Sequence, residues 1–264
     1  MSNSTSRAKV IAVSNQKGGV GKTTTAVNLS ASLAAVEKRV LLVDLDPQGN
    51  ASSGLGFDKR ELARSVYHAL LSLETMEDAA LETEFPYLSI VPANQDLAGA
   101  EIELVAETGR ELRLKSALES ISHRFDFIII DCPPSLGLLT VNALVAADSV
   151  LIPLQCEYFA MEGLGDLLRT IRLIRSSLNA NLVPEGILLT MFDRRNRLSH
   201  VVADEVRALF GDQVFETVIP RNVRLSEAPS HGKPILTYDI RSRGAQSYLR
   251  LAEEVLRRNG LVEV

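Results

Sequence analysis
The sequence predicts an α/β protein built on a doubly wound, mostly parallel sheet flanked by helices. Three observations predict it. Short runs rich in β-branched residues alternate with longer stretches of helical spacing. The runs are continuously apolar, as strands covered on both faces must be. A glycine-rich turn ending in Gly-Lys-Thr joins the first run directly to a helical stretch. Ligands of such sheets sit beyond the carboxyl ends of the strands, where this sequence concentrates its acidic residues.

The polar opening MSNSTSRAK has no apolar centre, so residues 1–8 are expected to form a flexible tail and not a signal peptide. No Pro/Gly/Ser linker, internal repeat or low-complexity tract divides the remainder, and residues 9–264 are expected to form a single domain. Its first strand is KVIAVSN, followed by the loop QKGGVGKTT and the helix KTTTAVNLSASLA. Gly18, Gly19 and Gly21 allow consecutive backbone N–H groups to turn inward as an anion nest, at a helix N-terminus whose dipole also favours phosphate. With Val20 and Thr24 they form the candidate nucleotide-binding loop. Lys22 is placed to reach the β- and γ-phosphates of a bound nucleotide, and the Thr23 hydroxyl to bind Mg²⁺. The loop departs from the usual phosphate-binding pattern twice: Gln16 stands where a glycine is expected, and a second lysine, Lys17, precedes Gly18.

The second strand, RVLLVDLD, closes on Asp44 and Asp46, and Pro47 stops it. YLSIVPA follows, then DFIIIDCP, whose Asp131 is expected to face Mg²⁺ through water. Asp44 is the group best placed to orient an attacking water. SVLIPL and GILLTMF complete the predicted strands. The final stretch, GAQSYLRLAEEVLRR, carries Leu249, Ala252, Val255 and Leu256 on one helical face, as a helix docked on the core does.

Composition narrows the function. No apolar run approaches the roughly 20 residues that span a bilayer, so a soluble cytoplasmic protein is expected. Cys132 and Cys156 lack the spacing of a disulfide framework or zinc knuckle, and Cys132 is expected to be a small buried apolar group. The four histidines share no metal-ligand spacing. Net charge is −5, yet residues 191–250 hold ten Lys/Arg against seven Asp/Glu. Arg194, Arg195, Arg197, Arg221 and Arg224 lie in this segment, with Lys233, Arg241 and Arg243 beyond them. No aromatic residue falls within the clusters 194–197, 221–224 and 241–243, so phosphate contact is expected in preference to base stacking.

KGGVGKTT, VDLDPQGN, IIIDCPPS and IPRNVRLSEAPSHGKP together resemble the ParA/Soj-type chromosome- and plasmid-partitioning ATPases of the deviant Walker A class of P-loop proteins. The resemblance runs from about residue 9 to about residue 257, without the N-terminal helix-turn-helix extension of longer plasmid members. It implies a homodimer formed on ATP binding, in which Lys17 reaches the phosphates held by the other subunit and acts with Lys22 and Asp44 in hydrolysis. It further implies non-specific binding to double-stranded DNA, with Arg195 and Arg224 favoured by motif position, stimulation by a ParB-type partner, and association with the nucleoid. Pro220 and Asn222 become candidate adenine contacts. A MinD-type membrane ATPase would want a basic amphipathic C-terminal helix, whereas this chain ends LVEV. An iron–sulfur carrier on the same fold would want bridging cysteines. A non-catalytic, nucleotide-gated DNA-binding regulator would want neither Asp44 nor Asp131.

Overall fold
The computed structural model describes residues 7–157 and 160–261. Residues 1–6, most of the expected tail, lie outside the described residues. Ala8 is buried, and its N–H donates to the Ser122 carbonyl at 3.3 Å.

The strands are β1 (Lys9–Val13), β2 (Val40–Asp44), β3 (Leu81–Glu82), β4 (Leu88–Val91), β5 (Phe127–Asp131), β6 (Ser149–Gln155) and β7 (Val183–Thr190). They form one sheet in the order β3-β4-β2-β5-β1-β6-β7, parallel throughout except where β3 meets β4. Six of these are the predicted runs. The seventh, β3, is two residues long and too short to leave a periodic signature. Proline inside β6 is tolerated because β1 pairs with β6 only through Ser149–Leu151, so Pro153 falls past the end of that ladder.

The helices are α1 (Lys22–Ala34), α2 (Asn50–Gly54), α3 (Val66–Leu70), α4 (Met76–Ala79), α5 (Leu97–Glu103), α6 (Arg113–Glu119), α7 (Leu138–Ala146), α8 (Ala160–Ser177), α9 (Arg197–Phe210), α10 (Val223–Glu227), α11 (Ile235–Tyr238) and α12 (Arg243–Arg258). They divide the core into two layers. Val10, Ala12, Leu41, Val43, Ile128 and Ile130 point toward α6, α7 and α8, whereas Ile11, Val13, Val40, Leu42, Phe127 and Ile129 point toward α1 and α12. Every residue of β2 and β5 is therefore buried. A fully buried Leu or Ile is worth about 1.5–3 kcal/mol, which is why these runs are apolar without alternation.

On α12 the docked face consists of Ala245, Tyr248, Leu251, Ala252, Val255 and Leu256, while Leu249 is half-buried at its margin. The Tyr248 hydroxyl and Thr25 Oγ1 share a buried hydrogen bond of 3.2 Å, which ties α12 to α1 directly behind the phosphate loop.

Candidate functional site
The loop between β1 and α1 is held from three sides. Asn15 Nδ2 donates to the Pro153 carbonyl at 2.7 Å, and Asn15 Oδ1 accepts the Lys17 N–H at 3.0 Å. Thr190 Oγ1, at the end of β7, donates to the Val20 carbonyl at 2.8 Å. Gly19 and Gly21 have φ of 74° and 88°, a region that side chains resist and glycine enters freely. Gly21 is the N-cap of α1, with no capping side chain and no acidic residue in the first turn. The helix thus presents uncapped N–H groups, the arrangement that receives an anion. Gly18 is exposed, with open space on its Cβ side.

Lys22 is buried, and its Nζ donates to the Lys17 carbonyl at 3.0 Å. Burial lowers its pKa, and the nearby charge of Asp131 opposes that shift. Lys17 points outward from the loop, and its Nζ lies 3.2 Å from Glu157 Oε2.

Asp44 and Asp131 are both fully buried at the ends of β2 and β5. Asp44 Oδ2 accepts the Ser52 N–H at 2.8 Å and the Ser52 hydroxyl at 2.7 Å, and Asp44 Oδ1 accepts the Asp46 N–H at 3.2 Å. Burial pushes its pKa up to about 6 against these hydrogen bonds. Among the described residues, neither carboxylate oxygen of Asp131 accepts a hydrogen bond of normal geometry. Its pKa is raised well above the usual range by burial and by Asp44, with Thr23 acting in the opposite direction. A buried carboxylate is rarely left with both oxygens unsatisfied.

That orphaned pair, beside the Thr23 hydroxyl, fits magnesium. The donors are hard oxygens, and Mg²⁺ binds through one or two such groups while keeping water and phosphate oxygens as its other ligands. Cys132, next in sequence, is buried and its thiol pKa is raised by that burial, so it is a packing residue. Cys156 is buried and free as well.

One cleft is lined by the loop, and a second adjoins the first. The first, about 580 Å³, is lined by Gly21, Thr24, Thr190, Pro220 and Asn222 among others, and lies within the usual size of a nucleotide or cofactor site. Asn222 Oδ1 accepts the Arg224 N–H at 2.9 Å as the N-cap of α10. The second cleft is about 810 Å³. Seven arginines line it: Arg194, Arg195, Arg207, Arg221, Arg241, Arg243 and Arg250. Among the described residues no salt bridge involves any of the seven, and the one carboxylate in the lining, Asp193, accepts the Arg195 backbone N–H. Pro220 and Arg221 line both clefts.

The structure sorts the arginines singled out by sequence. Arg194, Arg195 and Arg221 meet in the second cleft, Arg197 is exposed at the start of α9 outside its lining, and Arg224 is ion-paired to Glu227 at 2.9 Å and Asp239 at 3.5 Å. Sequence reasoning passed over Arg207, Arg250 and Ser52. Arg243, Gln246, Ser247 and Arg250 all line the cleft at helical spacings of three, four and seven, and that polar stripe was the available signal. Ser52 had none, because its bond to Asp44 depends on how the chain returns after Pro47.

A phosphate loop with an outward second lysine, on a parallel sheet with carboxylates at the adjoining strand ends, defines a P-loop nucleoside triphosphatase of the deviant Walker A class. A family profile for the AAA domain matches residues 8–183. The chain is 59% identical over 251 residues to the chromosome partitioning protein ParA of Myxococcus xanthus, spanning 95% of this chain and 89% of that one. It is 60% identical over 247 residues to the sporulation initiation inhibitor protein Soj of Bacillus subtilis, spanning 94% and 98%. Among solved structures, cobyrinic acid a,c-diamide synthase from Mycobacterium smegmatis with bound ADP and magnesium has a TM-score of 0.85 at 41% identity, over 96% of each chain. The chain belongs to the ParA/Soj family of chromosome-partitioning ATPases. Among the described residues no helix is long and apolar enough to cross a membrane.

Proposed function
We propose that this chain partitions DNA by cycling between an ATP-bound homodimer retained on double-stranded DNA and an ADP-bound or free form released from it. Hydrolysis is stimulated by a ParB-type partner, residues 9–264 act as one ATPase domain, and the protein works in the cytoplasm on the nucleoid. The observation that carries the reading is the wall shared by the two clefts at Pro220 and Arg221, which puts a nucleotide-sized site against an unpaired polyarginine surface.

In this reading the loop N–H groups of Gly18 to Thr24 and the Lys22 ammonium bind the phosphates, and Lys22 exchanges the Lys17 carbonyl for a phosphate oxygen. Thr23 and, through water, Asp131 would hold Mg²⁺, which would supply charge neutralisation to the bound phosphates. Asp44, steadied by Ser52, orients the attacking water. Pro220 and Asn222 contact adenine. Lys17 extends from the exposed rim of the loop to the phosphates of a second subunit, where a cation offsets charge on the transferring group. The seven cleft arginines bind DNA phosphates without reading base sequence, Arg197 extends that surface, and Arg224 joins it by leaving Glu227 and Asp239.

Sedimentation with Mg-ATP, Mg-ADP and duplex DNA in turn tests this. A dimer with ATP alone, and co-sedimentation with DNA only in ATP, is expected. A monomer in ATP, or equal DNA retention in ATP and ADP, overturns it.

A further inference from the structure
The ion pair between Lys17 and Glu157 joins residues 140 positions apart, and both of its ends are anchored to the same strand. On the Lys17 side, the backbone N–H is fixed through Asn15 to the Pro153 carbonyl of β6. On the Glu157 side, the backbone N–H donates to the Gln155 carbonyl at 2.8 Å, and Gln155 Nε2 donates to Glu157 Oε1. Gln155 is the last residue of β6. The carboxylate is thereby turned so that Oε2 faces the Lys17 ammonium at 3.2 Å. The Lys17 carbonyl is held as well, by Lys22 Nζ. Lys17 is therefore tethered at its N–H, its carbonyl and its ammonium.

Two of those three tethers stand where nucleotide phosphates compete. A phosphate draws Lys22 away from the Lys17 carbonyl, and phosphates of a second subunit offer the Lys17 ammonium a more highly charged partner than one carboxylate. The Lys17–Glu157 pair is exposed on both sides, so it is weak enough to exchange.

We propose that Glu157 is a positioning residue that parks the Lys17 ammonium against its own subunit in the nucleotide-free protein and so raises the ATP threshold for dimer assembly. This rests on the reading that Lys17 acts across a dimer. Each subunit must break one such pair to assemble. An exposed pair is worth a factor of about 1.5 to 5, so the two together weaken the ATP dimer by about 2- to 30-fold. Salt screens the pair and narrows that difference.

Two measurements on Glu157→Gln test it. In the nucleotide-free monomer, acylation of Lys17 by an amine reagent, followed by mass spectrometry, should run severalfold faster than in the parent, with labelling of Lys38 and Lys115 unchanged. An unchanged Lys17 rate overturns the parking whatever the oligomeric state. In Mg-ATP, with Asp44→Ala in both proteins to suppress turnover, sedimentation should give a dimer dissociation constant about 2- to 30-fold lower for Glu157→Gln. That gain should vanish when Lys17→Ala is added. An equal or weaker dimer, or a gain that survives loss of Lys17, overturns the proposal. Faster labelling in a protein that stays monomeric with ATP overturns the dimer reading and leaves the ion pair itself standing.

Discussion

Asp44 and Asp131 stand side by side in register, each the last residue of its strand, on the neighbouring parallel strands β2 and β5. Equivalent positions on adjacent parallel strands send their side chains to the same side, so two carboxylates share one buried space beside Lys22. Burial and mutual repulsion both favour the protonated forms, and one lysine cannot neutralise two charges.

The first prediction concerns stability and pH. The Asp44 pKa is about 6 in the folded protein against an ordinary 3.8, so the folded state holds a proton that the unfolded chain has released. The stabilisation from that proton is fully present below pH about 4 and is lost as pH rises through about 6. At pH 7 the buried, ionised Asp44 carboxylate works against the fold. Asp44→Asn, which keeps an acceptor for Ser52, should therefore be more stable than the parent at pH 7 by about 1–3 kcal/mol without nucleotide or magnesium. The gap should close by pH 4. Urea melts at the two pH values decide it, and a gap that does not narrow on acidification contradicts the assignment.

Ser52 is the second point of attack. Its hydroxyl donates to Asp44 and accepts the Ala93 N–H at 2.9 Å, in a fully buried position. Ser52→Ala leaves the Ala93 N–H without its acceptor and Asp44 with one bond fewer, a loss of about 1–3 kcal/mol. The same change should slow ATP hydrolysis more than it weakens ATP binding, because the water-orienting carboxylate is no longer steadied. Comparing kcat with the Mg-ATP dissociation constant from calorimetry separates the two effects, and equal losses in both would count against a role through Asp44.

Lys22→Ala should weaken Mg-ATP binding at least about tenfold, since a hydrogen bond to a charged group is worth about 1.5–3 kcal/mol. Dimerisation and DNA retention should fall with it. Unchanged affinity in calorimetry would mean that the phosphates lie elsewhere.

Mixing Lys17→Ala with Lys22→Ala protein distinguishes a lysine acting across the dimer from one acting at home. If Lys17 acts across, a mixed dimer contains one complete site, and an equal mixture should recover up to about a quarter of parental hydrolysis, the limit that random pairing of the two subunits would give. If it acts at home, neither site is complete. Inactivity despite demonstrated mixed dimers would exclude the crossing lysine.

The arginine cleft predicts salt dependence. Each phosphate neutralised contributes about −0.9 to the log–log slope of duplex affinity against salt, so removing one true contact should flatten it by roughly one. Arg195→Ala and Arg250→Ala should do so alike, across unrelated duplex sequences, although they lie 55 positions apart. An effect confined to Arg195 would limit the surface to the loop before α9.

What the sequence determined by itself is local. Continuous apolar runs identified six strands because residues covered on both faces have no polar alternation to keep. The Gly18–Thr24 loop was legible because a nest at a helix N-terminus needs glycine at positive φ, and few residue orders satisfy that. Asp44 and Asp131 were legible singly, as carboxylates ending strands. Only the tertiary structure decided which of these groups meet. The order β2-β5-β1 sets the two carboxylates beside the loop, the return of the chain through α2 brings Ser52 to Asp44, and β6 carries Glu157 to Lys17. Arginines from four segments between 194 and 250 share one cleft, while Arg224, from the same basic stretch, turns to its own carboxylates. Periodicity and turn chemistry record the backbone that each short segment adopts. Which distant charges lie within 4 Å follows from strand order and helix docking, which the buried faces settle collectively and no single motif encodes.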